Sequence, residues 1–126
     1  MAAVSDNEGV KAIPMADVDP IPLPNGSWSR VLVNGQTVEG NQASIGYSVF
    51  TVGLETADLS HETEELAYVI QGEGVLRLHD GAVPFKAGDA LYVPAKVWHV
   101  VANTGDEDVI MVFAFPHPDY PPTEKR

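Results

Sequence analysis

Apolar and polar residues alternate with a period of two along much of the chain. Between Ser44 and Val52, the residues Ile45, Tyr47 and Val49 share one face and Ser44, Gly46 and Ser48 the other, the pattern of a half-buried strand. This periodicity predicts that the Ile45, Tyr47 and Val49 face turns inward. Further strands are expected at Leu66–Gln71, Val75–His79, Ala90–Val93, Val97–Asn103 and Val109–Phe115. Between them lie Gly72-Glu73-Gly74, Asp80-Gly81, Ala87-Gly88-Asp89 and Asn103-Thr104-Gly105-Asp106, all rich in residues that tolerate or cap a tight bend. Hardly any segment places apolar residues at i, i+3, i+4 and i+7 for long enough to pack as a helix. Short strands joined by regular turns predict an all-β fold, a sandwich or a closed barrel.

The two ends break this rhythm. Pro14, Pro20, Pro22 and Pro24 fix φ and lack amide donors, so residues 1–26 are expected to run as an extended arm. Residues 116–126, which include Pro116, Pro118, Pro121 and Pro122, are read as a rigid tail unable to join a central strand. The folded body is then 27–115. At 126 residues, 44% hydrophobic and 20% charged, the chain suits one globular domain. A formal net charge of −11 opposes phosphate backbones and anionic headgroups, which predicts no nucleic-acid and no membrane partner. With no cysteine there is no thiolate ligand, disulfide or Cys nucleophile. The opening residues have neither the basic patch nor the apolar run of a secretion signal, and a cytoplasmic location is expected.

Candidate chemistry lies in two stretches: Gly53-x5-Leu59-x-His61-x3-Glu65-x6-Gly72 and Gly88-x5-Pro94-x-Lys96-x2-His99-x3-Asn103. Together they resemble the two motifs of the cupin family, G-x5-H-x-H-x3/4-E-x6-G and G-x5-P-x-G-x2-H-x3-N. Every spacing agrees, but Leu59 stands where the first motif has its leading histidine, and Lys96 where the second has a glycine. The resemblance implies a single jelly-roll barrel of two antiparallel sheets, commonly assembled as a homodimer. The N-terminal arm and the Ser44–Val52 strand are the candidates for edge pairing between subunits. It also carries over His61, Glu65 and His99 as the ligands of one divalent metal ion.

The residues support that expectation independently of the family. His61 ends one strand, Glu65 opens the next, and alternation puts His99 on one face with Val97 and Val101, so the three can converge inside a barrel. Two neutral imidazoles and a carboxylate suit Fe(II), the first choice here, or Mn, Ni or Zn, and leave positions open for substrate. The expected function is a metal-dependent enzyme acting on a small organic molecule, first a non-haem Fe(II) dioxygenase. The alternatives are a lyase, isomerase or cyclase working by Lewis-acid and proton-transfer chemistry, or a non-catalytic binding protein with a decayed metal site, which Leu59 favours. Glu65, Tyr47 and Lys96 are candidate catalytic groups, Tyr47 as an acid or orienting donor and Lys96 as a cation near the barrel mouth. Val49, Leu59, Val101 and Phe113 are the candidate pocket lining. His79 at a hairpin tip and His117 between prolines are read as non-ligands, and Trp98, of opposite parity to His99, as an outer-face or dimer-contact residue.

Overall fold

A computed structural model describes residues 8–126, and these form two facing antiparallel sheets. In chain order the strands are β1 (Ile21–Pro22), β2 (Trp28–Val33), β3 (Ser44–Phe50), β4 (Leu59–His61), β5 (Glu65–Gln71), β6 (Glu73–Leu78), β7 (Gly81–Lys86), β8 (Ala90–Val93), β9 (Val100–Asn103), β10 (Val109–Phe115) and β11 (Thr123–Lys125). One sheet has the order β1-β2-β3-β10-β5-β8. The facing layer is built from β7-β6-β9 and β11-β4, stitched together by bridges from Glu55 to Ala102 and from Leu59 to His99. The expected all-β jelly roll is the architecture found.

The inward face of β3 is the reverse of the one expected. Ser44, Gly46, Ser48 and Phe50 are buried, whereas Ile45 is exposed and Tyr47 and Val49 lie half-buried on the outer face. The cause lies on the neighbouring strand. β10 sets Phe113 opposite Gly46 and Phe115 opposite Ser44, and the Phe113 ring occupies the space a Cβ at position 46 would fill. Small residues must therefore face inward, where the buried hydroxyl of Ser48 is satisfied by Ser29 at 2.7 Å. Outside, Tyr47 stacks on Trp28 with ring centroids 5.9 Å apart. β3 is also interior to its sheet, flanked by β2 and β10, so it has no free edge to offer a second subunit.

Three other departures have local reasons. β7 extends past the Asp80-Gly81 bend despite Pro84, because it is an edge strand bonded only to β6 and Pro84 need not donate outward. The strand expected from Val97 begins at Val100, with His99 held by the single bridge to Leu59, because the turn at Ala95-Lys96 precedes it. Beyond Phe115 the chain does not trail away. Pro121 is fully buried, and β11 pairs with β4 in the register Thr123 to His61, Glu124 to Ser60 and Lys125 to Leu59. Residues 8–26 are largely exposed, with β1 laid along β2 and Leu23 packed onto the core.

Candidate metal centre

His61, Glu65 and His99 come from three separate backbone segments that the sheets bring into register. His61 closes β4, whose Leu59 exchanges both backbone hydrogen bonds with His99, at 3.0 and 2.9 Å. Glu65 opens β5 on the opposite sheet after the Glu62-Thr63-Glu64 turn. The second-motif turn is tied to the first by the Lys96 amide, which donates to the His61 carbonyl at 2.7 Å. Lys96 itself has φ +67°, the left-handed conformation that glycine adopts at little cost.

The ligand-type atoms of the three side chains all lie within 4.8 Å of one another. Nε2 of His61 is 3.2 Å and Nε2 of His99 3.5 Å from the same oxygen, Oε1 of Glu65. Both imidazoles are buried, at 4% and 3% exposure, while the Glu65 side chain keeps 19% and is the most open of the three. The opposite ring nitrogens are already engaged. Nδ1 of His99 lies 2.9 Å from the Val97 carbonyl, which only accepts, so that nitrogen must carry the hydrogen. Nδ1 of His61 lies 2.7 Å from the Thr123 hydroxyl, whose own hydrogen goes to the Pro121 carbonyl at 2.8 Å, so His61 donates as well.

When neutral, both rings therefore turn an Nε2 lone pair toward a carboxylate oxygen, and three acceptors meet with no hydrogen among them. Such an arrangement requires a cation at its centre or an added proton. The ionisation equilibria follow the same logic. Burial works to raise Glu65, but hydrogen bonds and charge from His61 and His99 outweigh it and hold the carboxyl below its ordinary value. Burial works to lower His99, but hydrogen bonds to Glu65 and Val97, with the charges of Glu65 and Asp58, leave its imidazole above its ordinary value. Fixed Nδ1 donors, converging Nε2 acceptors and an ionised carboxylate are the donor chemistry a divalent first-row ion takes. The residues present fit such an ion.

Other expected site residues are dispersed. Tyr47 and Val49 face away from the interior, so a catalytic role for Tyr47 and a lining role for Val49 are corrected by the parity of β3. The Lys96 side chain is 72% exposed and its Nζ lies 3.9 Å from Glu62, so its contact with the centre is through its backbone. Phe113 is buried, Val101 packs against the core and Leu59 is half-buried in the same strand as His61. His79 is exposed, and the Trp98 ring is covered by the Arg126 guanidinium 4.3 Å from its centroid.

Three residues at the centre were not singled out from sequence: Thr123, Tyr120 and Phe115. The rings of Phe115 and Tyr120 stand edge-on to His61, with centroids 5.1 and 5.4 Å away. Desolvation of the Tyr120 phenol, reinforced by the Glu65 charge and opposed by Thr123, pushes its pKa up to about 12. The signal for Phe115 was its place at the inward end of β10. Thr123 and Tyr120 sit in a proline-rich stretch and carried none.

Comparison with known proteins gives a consistent picture. The sequence profile of the Cupin domain matches residues 46–115, more than half of the chain. The "Uncharacterized protein MJ1618" of Methanocaldococcus jannaschii is 28% identical over 109 residues, 85% of this chain and 87% of that protein. "Polyketide synthase CurC" of Streptomyces cyaneus is 29% identical over 67% of this chain, which spans 55% of that protein. Among solved structures, the polyketide cyclase RemF from Streptomyces resistomycificus superposes with a TM-score of 0.77 at 17% identity, covering 92% of this chain and 84% of its own. Among the described residues, no helix is long and apolar enough to cross a membrane.

Proposed function

The chain belongs to the cupin family, and on that footing we propose that it is a divalent-metal-dependent enzyme that converts a small organic molecule by Lewis-acid and proton-transfer chemistry, as a cyclase, isomerase or lyase. The observation that carries its metal dependence is the convergence of the His61, His99 and Glu65 donor atoms on one point. A divalent ion held there would polarise a carbonyl or enol oxygen of the substrate. His61 and His99 would hold it, and the Nδ1 hydrogen bonds keep both rings aimed. Both imidazoles approach Oε1 of Glu65, so Oε2 is the atom assigned to take a proton from carbon next to the polarised carbonyl. Leu59, in the place of a further histidine, leaves a ligand position to the substrate and sets hydrocarbon beside it. Likeness to a polyketide cyclase and to a protein named as a polyketide synthase favours an apolar, enolisable polycarbonyl compound as substrate.

A second reading, a non-haem Fe(II) dioxygenase, is favoured by the donor set itself, since two histidines and one carboxylate with open positions is the set such oxygenases use. Elemental analysis followed by turnover assays under air and under strict anaerobiosis separates the readings. Metal near one equivalent per chain, with anaerobic conversion of enolisable polycarbonyl substrates, is expected. Conversion that requires O2 and Fe(II) replaces the cyclase reading with the oxygenase one. Protein that takes up no metal under any loading condition overturns both and leaves a metal-free binding protein.

The outer face of the six-stranded sheet supports a homodimer as the assembly. Outward positions of β3, β5 and β10 carry no charged side chain, although the chain bears a net charge of −11. Ile45, Leu66, Tyr68 and Ile70 are each between 40% and 52% exposed. Two copies repel each other least where both lack carboxylates, and apolar surface there is best covered by its own kind. Sedimentation of the wild type and of Tyr68→Glu tests it: a dimer that becomes a folded monomer is expected, and a monomeric wild type at tens of micromolar overturns it.

A further inference from the structure

The two histidines are aimed by different means. His99 is fixed by the carbonyl of Val97, two residues away on its own segment, whereas the partner of His61 lies 62 residues away, on β11. We propose that Thr123 is the positioning residue for His61, and that the C-terminal strand β11 is a built part of the metal centre rather than a tail. The proposal rests on the metal-binding reading of the site.

The relay has a defined direction. The Pro121 carbonyl accepts from the Thr123 hydroxyl at 2.8 Å, and with that hydrogen committed the Thr123 oxygen can only accept from Nδ1 of His61 at 2.7 Å. Reversing it would set the hydroxyl oxygen lone pairs against the Pro121 carbonyl, so the opposite tautomer of His61 is disfavoured. Held as the Nδ1–H tautomer, His61 presents its Nε2 lone pair where Glu65 and His99 converge. Partners of this kind orient metal-binding imidazoles and raise their basicity.

The strand carrying Thr123 is fastened on both sides of it. Pro121 is fully buried, and the Pro122 carbonyl accepts from the Glu62 amide at 2.9 Å, immediately after His61. At the far end the Arg126 amide donates to the Asp58 carbonyl at 3.2 Å, its Nε lies 3.0 Å from Asp58 Oδ2, and its guanidinium covers Trp98, the neighbour of His99. β11 thus links the flank of one histidine to the flank of the other. Tyr120 closes the remaining side of the His61 ring.

The test uses the full chain stripped of metal, with Co2+ as the probe. In the wild type, 15N spectra of labelled histidine at a pH where the rings are neutral are expected to show His61 protonated on Nδ1. Thr123→Val, nearly isosteric but unable to accept, is expected to mix the His61 tautomers and weaken Co2+ binding about 10- to 100-fold. Thr123→Ser, which keeps the hydroxyl, is expected to stay near the wild type in both readouts. An Nε2–H tautomer in the wild type overturns the assignment without any variant having to fold. So does a Thr123→Val protein that binds Co2+ like the wild type. A wild type that takes up no Co2+ overturns the metal reading itself and with it the purpose assigned to Thr123.

Discussion

At one end of the barrel Phe50, Leu54, Val69, Leu76, Phe85, Val109 and Met111 fill the space between the sheets with side chains that need only one another. At the other end β4, β5 and the segment before β9 deliver His61, Glu65 and His99, buried or nearly so, beside the rings of Phe115 and Tyr120. The contrast is chemical rather than architectural. Dispersion and loss of water contact complete the apolar end, where each further contact is favourable whatever its partner. The histidine end is complete only when a positive charge, ion or proton, occupies the point on which its three acceptors are trained. One fold thus carries a half that stabilises it and a half whose polar groups stay under-satisfied until something binds.

The contrast breaks most sharply by deleting one side chain from each end. Phe85→Ala is expected to cost about 3–5 kcal/mol in denaturant unfolding, while metal bound per folded chain stays unchanged. His99→Ala should do the opposite, reducing metal from about one equivalent to near none by elemental analysis, with a smaller loss of stability than Phe85→Ala. If Phe85→Ala also empties the centre, the two ends are one cooperative unit and the distinction fails.

A subtler test changes the charge rather than the side chains. In the metal-stripped protein, Glu65 is depressed, so its contribution is present above the unfolded carboxylate value of 4.5 and is lost as pH falls through its lower folded value. His99 is raised, so its contribution is complete below the unfolded imidazole value of 6.5 and is lost as pH rises through its higher folded value. Urea midpoints should therefore be highest between those two values and fall on either side. His99→Gln should flatten the alkaline fall, and an unaltered pH profile in that variant would locate the dependence elsewhere.

The smallest expected effect is at the loop that joins the motifs. Lys96→Gly relieves a left-handed backbone costing about 1–2 kcal/mol, set against the greater freedom of glycine in the unfolded chain, so a net gain of at most about 1 kcal/mol is expected. Because the Lys96 ammonium is exposed beside Glu62, metal affinity should not move. A marked change in affinity would mean that the ammonium acts at the site after all.

Much of this was legible along the chain, and the limits have particular causes. Alternation located β3, β5, β8 and β10, and the spacing of the two motifs picked out His61, Glu65 and His99, because strand period and turn chemistry are local properties. Alternation sorts residues into two sets but does not say which set faces inward. In β3 one set was larger and more apolar, yet the aromatic rings of β10 needed small neighbours, so Ser44, Gly46 and Ser48 went inside and Tyr47 out. The fastening of His61 was still less visible. Thr123 acts on a histidine 62 positions earlier through a hydroxyl whose direction is set by a proline carbonyl, and no local pattern encodes a contact made only when the last strand folds back. Composition and spacing determined the barrel and the residue types of its candidate metal centre; the packing of one strand against another decided which faces met, and therefore which lone pairs converge.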